Sequence, residues 1–502
     1  MVAKSRPVSL PPSAGRVSRD AGSRRGSLST YNPPYALTRE QQARERVLAQ
    51  DRSADLAAND WAAHSGINSI TINAVGTGLR PQSRINAKRL GITQDAAREL
   101  QAAIEAAWKS WASCAHTRGV LHFEDLQFLG LRSMLRQGEM LHLPVMVSDP
   151  GRKIQLAIQD VQPSRLRTPL NLAADPSIVD GVQRNRYGAP EVYWLATPAP
   201  AISRIMDMTG LSADQFTRIP ARIGHRPGAF HLFHHSEEEQ TRGESALAAG
   251  MNLFRHLSDA LDNELLSMVT TASLPVFIGR EPGNPTLPPY AEQHEDEDGN
   301  QRYYEEARGG AIMYGNQGEK PYVLESGRPS PNFATFSEFV LRAAAASMGV
   351  TYEVLAKDFS KTNYSSARAA LLEAWRVFLL YRTWLVRHYC QPIWSMVIEE
   401  AWLVGLIKLP AGAPDFYDAQ GLYTQALWIG PPRGYVDPVK EVASTVTALE
   451  NRLTTYSEAL AERGRDFDEV IDEREEEEAR LARFTAQPTK PSTYKEPPRD
   501  SA

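Results

Sequence analysis

The stretch GESALAAGMNLFRHLSDALDNELLSM, residues 243–268, decides how this chain is built. Leu247, Met251, Phe254, Leu257, Leu261, Leu265 and Met268 recur every three or four positions, which lays one apolar stripe along a helix. The pattern predicts close to thirty helical residues from Gly243 onward, roughly 40 Å at about 1.5 Å per residue. The next sixty residues do not read as core. Residues 274–332 are polar and rich in Pro and Gly, with an acidic patch at Glu295, Asp296, Glu297, Asp298, Glu305 and Glu306. Helical spacing returns over 333–348 and stops at Gly349. It resumes after the polar run DFSKTNYSS (358–366) as a long helix to about residue 404, which Pro392 should kink. Ser365 or Ser366 is placed to cap that helix. Two long helices that leave a body and return to it, joined by a loop-rich excursion, describe a stalk with a knob. An ordinary helical hairpin with a long insertion fits the same pattern.

Upstream of this stretch the periodicity is mixed. Helical spacing runs from residue 38 until Gly76 and Gly78 stop it. A second helix over about 93–113 carries Leu100, Ile104, Ala107, Trp108 and Trp111 on one face, and a third covers 123–137. Over 140–194 the pattern turns short and alternating: HLPVMVS, KIQLAIQDV and EVYWLA read as strands, and 178–195 as a hairpin turning at Arg186, Tyr187 and Gly188. Further short strands are expected within 217–235, and 437–483 is again helical. The fold class is α+β, predominantly α.

At 502 residues the chain has room for two to four domains. Residues 1–36, rich in Ser, Pro and Gly with six Lys/Arg against one Asp, read as a disordered basic arm, and 484–502 as a disordered tail. Segment 462–483 reverses the sign, with ten acids against five bases. The formal net charge of −5 argues against a protein that grips nucleic acid over most of its surface. Two distant cysteines, Cys114 and Cys390, exclude a disulfide scaffold and fit a reducing compartment. No apolar run approaches the roughly 18 residues of a membrane span, so neither membrane insertion nor secretion is expected.

Enzyme signatures find little support. GTGLRP (76–81) and GNQGEK (315–320) lack the spacing of a phosphate-binding loop, and no GxSxG or HExxH occurs. His231, His234 and His235 beside Glu237, Glu238 and Glu239 are the candidate ligands of a metal-dependent hydrolase, although their spacing fits no standard zinc module. A generic helical scaffold protein is the other alternative. No cofactor is expected.

Five blocks, taken in order, resemble the lambda-type phage portal family: NAVGTGLRP (73–81), VDGVQRNRYGAPEVYWL (179–195), EEEQTRGESALA (237–248), DFSKTNYSSARAALLEAWRVF (358–378) and ALWIGPPRGYVDPVKE (426–441). The resemblance extends from about residue 31 to about 470. It implies a non-enzymatic ring, usually of twelve subunits, that replaces one pentamer of the major capsid protein and passes double-stranded DNA inward at packaging and outward at ejection. The terminase large subunit would supply the ATPase, and a head–tail connector protein would dock later. The implied portal fold has a wing at 37–243, stem helices at 244–273 and 333–349, and a clip at 274–332. A tunnel loop at 350–365 comes next, then a long helix with the remainder of the wing at 366–436 and a crown at 437–483. On this mapping Lys357, Lys361, Asn363 and Tyr364 face the DNA channel. The acidic residues of 295–306 become a docking surface on the clip. The implied setting is the capsid vertex of the virion, with host cytoplasm during assembly. A net negative charge suits a conduit, because a duplex held by many cations cannot slide.

Overall fold

The computed structural model describes residues 39–197, 213–272, 276–280, 292–295, 301–307, 310–317, 332–433 and 438–485. The expected basic arm (1–36) and the tail beyond residue 485 lie outside them. The chain divides after Arg46, and the unit that begins at Val47 holds the greater part of the first helix and every later element.

Helices α1 (Arg39–Asn59) and α2 (Trp61–Ala74) stand where one helical run was expected. Asp60 separates them: its carboxylate accepts the Ala63 backbone N–H at 2.7 Å, capping α2, and its other oxygen accepts from Ser258 Oγ at 2.6 Å. Gly78, at φ 111, is needed after α2, since a Cβ there would lie 2.2 Å from Glu124 Cγ. Strand β1 (Arg80–Ser83) and helices α3 (Ala87–Leu90), α4 (Gln94–Ala112) and α5 (Phe123–Gln137) come next, the last two as their spacing predicts. Leu100, Ile104, Trp108 and Trp111 of α4 are buried. The Trp108 ring sits 5.1 Å from those of both Phe123 and Trp394, and each such side chain withdrawn from water contributes about 1.5–3 kcal/mol.

The strands then arrive as expected. β2 (Glu139–Met146) pairs antiparallel with β3 (Leu156–Val161), while β4 (Ile178–Val179), β5 (Val182–Arg184), β6 (Pro190–Ala196) and β7 (Phe216–Pro220) form a meander in that order. β8 (Arg222–Ile223) and β9 (Arg226–Pro227) make a small hairpin, and β10 (Phe230–Phe233) returns to the free edge of β2. Leu141, Leu143, Val161, Val182, Tyr193 and Leu195 form a second apolar core between the sheets.

The first long helix, α6 (Met251–Ala272), has 22 residues, shorter than the spacing suggests. The reason is upstream anchoring: Ala246 N–H donates to Leu135 O at 3.0 Å and Ser245 Oγ to the same oxygen at 3.1 Å, which commits residues 243–247 to the body before the helix begins. The excursion beyond it is not merely loops. β11 (Val276–Arg280), β12 (Glu292–Glu295), β13 (Gln301–Ala307) and β14 (Gly310–Gln317) form a sheet in the order β11-β14-β13-β12, with β11 parallel to β14. Helix α7 (Phe333–Ser347) packs on α6 and on the turn just before it, where Gly250 leaves room for Ser347.

After α7 come α8 (Tyr352–Ala356), α9 (Tyr364–Leu385), a π-helical turn at Val386–Cys390 and α10 (Gln391–Leu403). That turn is the form taken by the expected disturbance at Pro392. A proline lacks the N–H for the α ladder and its ring clashes one turn back, so the ladder widens just before it. Beyond them lie α11 (Gln420–Tyr423) and β15 (Ala426–Ile429), with β15 antiparallel to β1, and the chain continues through α12 (Pro438–Glu450), α13 (Tyr456–Glu462) and α14 (Phe467–Thr485).

Candidate functional site

The connector between α7 and α9 carries the residues expected to face a channel. The family resemblance implies a loop over 350–365, but its first part is α8, with Val354 and Leu355 buried against α2. Ser65 Oγ donates to Leu355 O at 2.6 Å, and Gly66 has no side chain where a Cβ would lie 2.9 Å from Leu355 Cδ1. Two apolar residues in five therefore suffice to seat a short helix. It ends at Lys357, whose φ of 56 is left-handed, a conformation that disfavours a side chain.

Beyond it the exposed half of the connector is tied down by polar contacts. Lys361 Nζ donates to Glu338 Oε2 of α7 at 2.8 Å; the lysine side chain is 69% exposed and the glutamate 12%. Arg342 donates to the other oxygen of Glu338 at 2.7 Å. The hydrogen bond from Lys361 holds the Glu338 carboxyl below its ordinary range, and the same bond raises the lysine. Tyr352 OH donates to Asp358 Oδ2 at 3.1 Å, while bonds from Ser360 hold Asp358 low. Asn363, not Ser365 or Ser366, caps α9: its Oδ1 accepts the Ser366 N–H at 2.9 Å. That use of the side-chain oxygen corrects the expected cap. Tyr364 begins α9 and is half exposed. Among the described residues the Lys357 ammonium has no hydrogen-bond or ion-pair partner, so it is the available cation of the four-residue set.

Of the acidic patch, Glu295 ends β12 opposite Gln301, and Glu305 and Glu306 stand on β13 opposite Ile312 and Ala311. Asp296, Glu297 and Asp298 lie outside the described residues. The histidine cluster is not gathered as a ligand set. His231, on β10, bonds through Nε2 to Glu139 Oε2 at 2.8 Å, and the His234 ring lies near Tyr381. Among the described residues no three His, Cys, Asp or Glu side chains are placed to hold a metal ion.

Two constellations have no clear signal in the sequence. Arg242, just ahead of α6, is buried with Glu139: its Nε donates to Oε2 at 2.8 Å and Nη2 to Oε1, while Nη1 reaches the carbonyls of Leu166 (2.8 Å) and Asp180 (2.7 Å). Burial alone would raise the glutamate, yet the Arg242 charge and the His231 bond hold it well below the carboxylate range. The second is Arg382 of α9, which donates to Ala74 O, Asn73 O and Pro431 O, each at 2.9 Å. It closes the C-terminal end of α2 onto the turn after β15, joining three of the sequence blocks that stand out: 73–81, 426–441 and the helix begun by 358–378.

The root of the α6–α7 pair is buried through Phe254, Leu257, Val340, Leu341 and Ala344, whereas Leu265 (58%), Met268, Phe336 and Phe339 (70%) toward its far end are exposed. A body of sheet and helix thus sends out and recovers a helix pair around a four-stranded insertion.

Compared with known sequences, the chain falls in the class of phage portal proteins, and over residues 24–382 the pattern that fits is that of the lambda family. The chain belongs to the lambda family of phage portal proteins. It is similar to the portal protein of Escherichia phage N15, 27% identical over 478 residues that span 89% of this chain and 86% of that protein. It is likewise similar to portal protein B of Escherichia phage lambda, 26% identical over 466 residues with the same coverages of 89% and 86%. Among solved structures it resembles a chain from the neck of a native gene transfer agent particle, with a TM-score of 0.37 and 14% identity, covering 82% of this chain and 96% of that one.

Proposed function

We propose that this chain is the subunit of a ring, usually of twelve copies, at one vertex of a phage capsid, through which double-stranded DNA enters at packaging and leaves at ejection. The observation that carries the ring is the uncovered apolar far end of α6 and α7, which a neighbouring copy would bury. On this reading 37–243 and 366–436 are the wing, and 244–273 with 333–349 are the stem. The clip is 274–332, the tunnel loop 350–365 and the crown 437–483. The clip, with Glu295, Asp296, Glu297, Asp298, Glu305 and Glu306, is the docking surface for the terminase large subunit and later for the head–tail connector protein. The surrounding major capsid protein contacts the ring from outside. Lys357, Lys361, Asn363 and Tyr364 sit at the channel wall, and Lys357 is the residue best placed to meet phosphate. A few weak contacts per subunit, repeated around an axis, steady a rod of phosphates without reading bases. No catalytic step is assigned to the chain, and its setting is the virion.

Electron microscopy of the purified protein tests the reading. Rings with an axial channel are expected. Particles that remain monomeric by light scattering across several salt concentrations would sink it.

A further inference from the structure

Two helices carry the same short pattern with opposite charges. On α6, Asp262 is followed at three, four and seven residues by Leu265, Leu266 and Val269; on α9, Arg368 is followed at the same intervals by Leu371, Leu372 and Trp375. Positions so spaced share one face of a helix. Asp262, Leu265, Leu266 and Val269 are all exposed. So are Leu371, Leu372 and, one turn beyond Trp375, Leu379, while Arg368 and Trp375 are half-buried. The side of α9 that packs into the body is a different one, formed by Ala374, Phe378 and Leu385. Nearby charges are already met, Arg255 by Asp259 at 2.8 Å and Arg376 by Glu373 at 2.9 Å. Among the described residues the side chains of Asp262 and Arg368 have no hydrogen-bond or ion-pair partner, so one acid on α6 and one base on α9 are left over. Apolar faces of this kind left in water mark contacts with another chain. A face that pairs with its own copy closes at two subunits, whereas a larger ring needs two different faces that fit each other.

We propose, resting on the ring reading above, that α6 of one copy lies parallel along α9 of the next, with Asp262 against Arg368 and the two leucine pairs packed together beyond them. The parallel sense follows from the shared pattern. Laid antiparallel, the stripes would bring Asp262 to the Trp375 end and leave both charges unmatched. The apolar part supplies the affinity, because each leucine withdrawn from water strengthens association about tenfold or more. The charge pair fixes the register.

Two variants of the full-length protein separate the faces. Leu266→Glu with Val269→Glu spoils the α6 face and keeps that of α9; Leu372→Glu with Leu379→Glu does the reverse. These positions are exposed, so each chain should stay folded, as its melting temperature will show. By light scattering, up to the limit of solubility, each variant alone should remain monomeric where the wild type forms rings. An equimolar mixture should give a dimer of one copy of each and nothing larger, because one intact face of each kind remains. Rings from either variant, or a mixture that stays monomeric, overturn the proposal. Should a variant fail to fold, charge reversal replaces it. Arg368→Asp sets like charges face to face and should raise the concentration needed for rings by at least about tenfold, and adding Asp262→Arg to the same chain should restore it. Absence of that rescue overturns the contact as well. A wild type that forms no rings defeats the ring reading itself, whereas wild-type rings matched by rings of the α9 variant defeat this contact alone.

Discussion

Arg242 and Glu139 form a two-pronged ion pair with both side chains almost wholly out of water, 4% and 0% exposed. The pair also gathers His231 Nε2 and, at 3.2 Å, Gln50 Nε2, so α1, β2, β10 and the approach to α6 meet at one carboxylate. Replacing Arg242 by Ala leaves that carboxylate buried without its main counter-charge, and such a break costs about 3–5 kcal/mol. Lysine should rescue little, because a single ammonium cannot reproduce the fork. Denaturant unfolding of the wild type, Arg242→Ala and Arg242→Lys gives the comparison, and a loss below about 1 kcal/mol in the alanine variant would contradict the anchoring role.

Arg382 makes the analogous closure without a carboxylate. Burial alone pushes its guanidinium down to about 10, and its bonds go to three backbone carbonyls. Arg382→Ala should cost about 1.5–3 kcal/mol, the range for losing bonds to a charged group. Gly430→Ala should show part of the same defect, since a Cβ there would fall 2.8 Å from Arg382 Cζ. A Gly430→Ala protein as stable as the wild type would mean that the guanidinium shifts freely and the closure is loose.

His142 sets an acid limit. It is buried on β2, its Nδ1 lies 2.7 Å from Tyr389 OH, and burial pushes the imidazole down to about 4 from its ordinary 6.5. The unfolded chain takes up this proton between those values while the folded chain does not, so stability should fall as pH drops from 6.5 toward 4 and change no further from this group below that. His142→Gln should flatten this part of the profile. An unchanged profile in that variant would assign the acid sensitivity to other groups.

What periodicity can carry decides how much of the fold is legible in the sequence. Helices α4, α5 and α7 are readable because their apolar faces repeat every three or four residues, and β2, β3 and β6 because theirs alternate. The strands of 276–317 are not, because β12 and β13 are mostly polar and show no apolar alternation, and 281–291 between β11 and β12 is rich in Pro and Gly, a composition that argues for loops. α8 is hidden in five residues with only Val354 and Leu355 to announce it. The Glu139–Arg242 pair has no periodicity: a buried ion pair and two solvated surface charges are written with the same letters. The residues proposed for the channel wall fall on one connector in sequence and structure alike, but only their contacts separate Lys361, already engaged by Glu338, from Lys357.

That separation gives the sharpest test of the channel loop. Lys357 holds a left-handed φ of 56 at the end of α8, where glycine is the residue without penalty. Lys357→Gly should therefore leave the fold intact or stabilise it by up to about 1 kcal/mol, the cost of a side chain in that conformation. It also removes the unengaged ammonium, so filled heads should form at lower yield or lose DNA more readily. Lys361→Ala should affect DNA less, because its charge is already met by Glu338, and its main effect should be a more mobile connector. Melting temperature and the fraction of DNA-filled particles, measured on the two variants side by side, decide the matter. A Lys357→Gly portal that melts no lower than wild type yet packages less DNA assigns the loss to the missing charge. Equal packaging in the glycine variant would remove Lys357 from the channel wall.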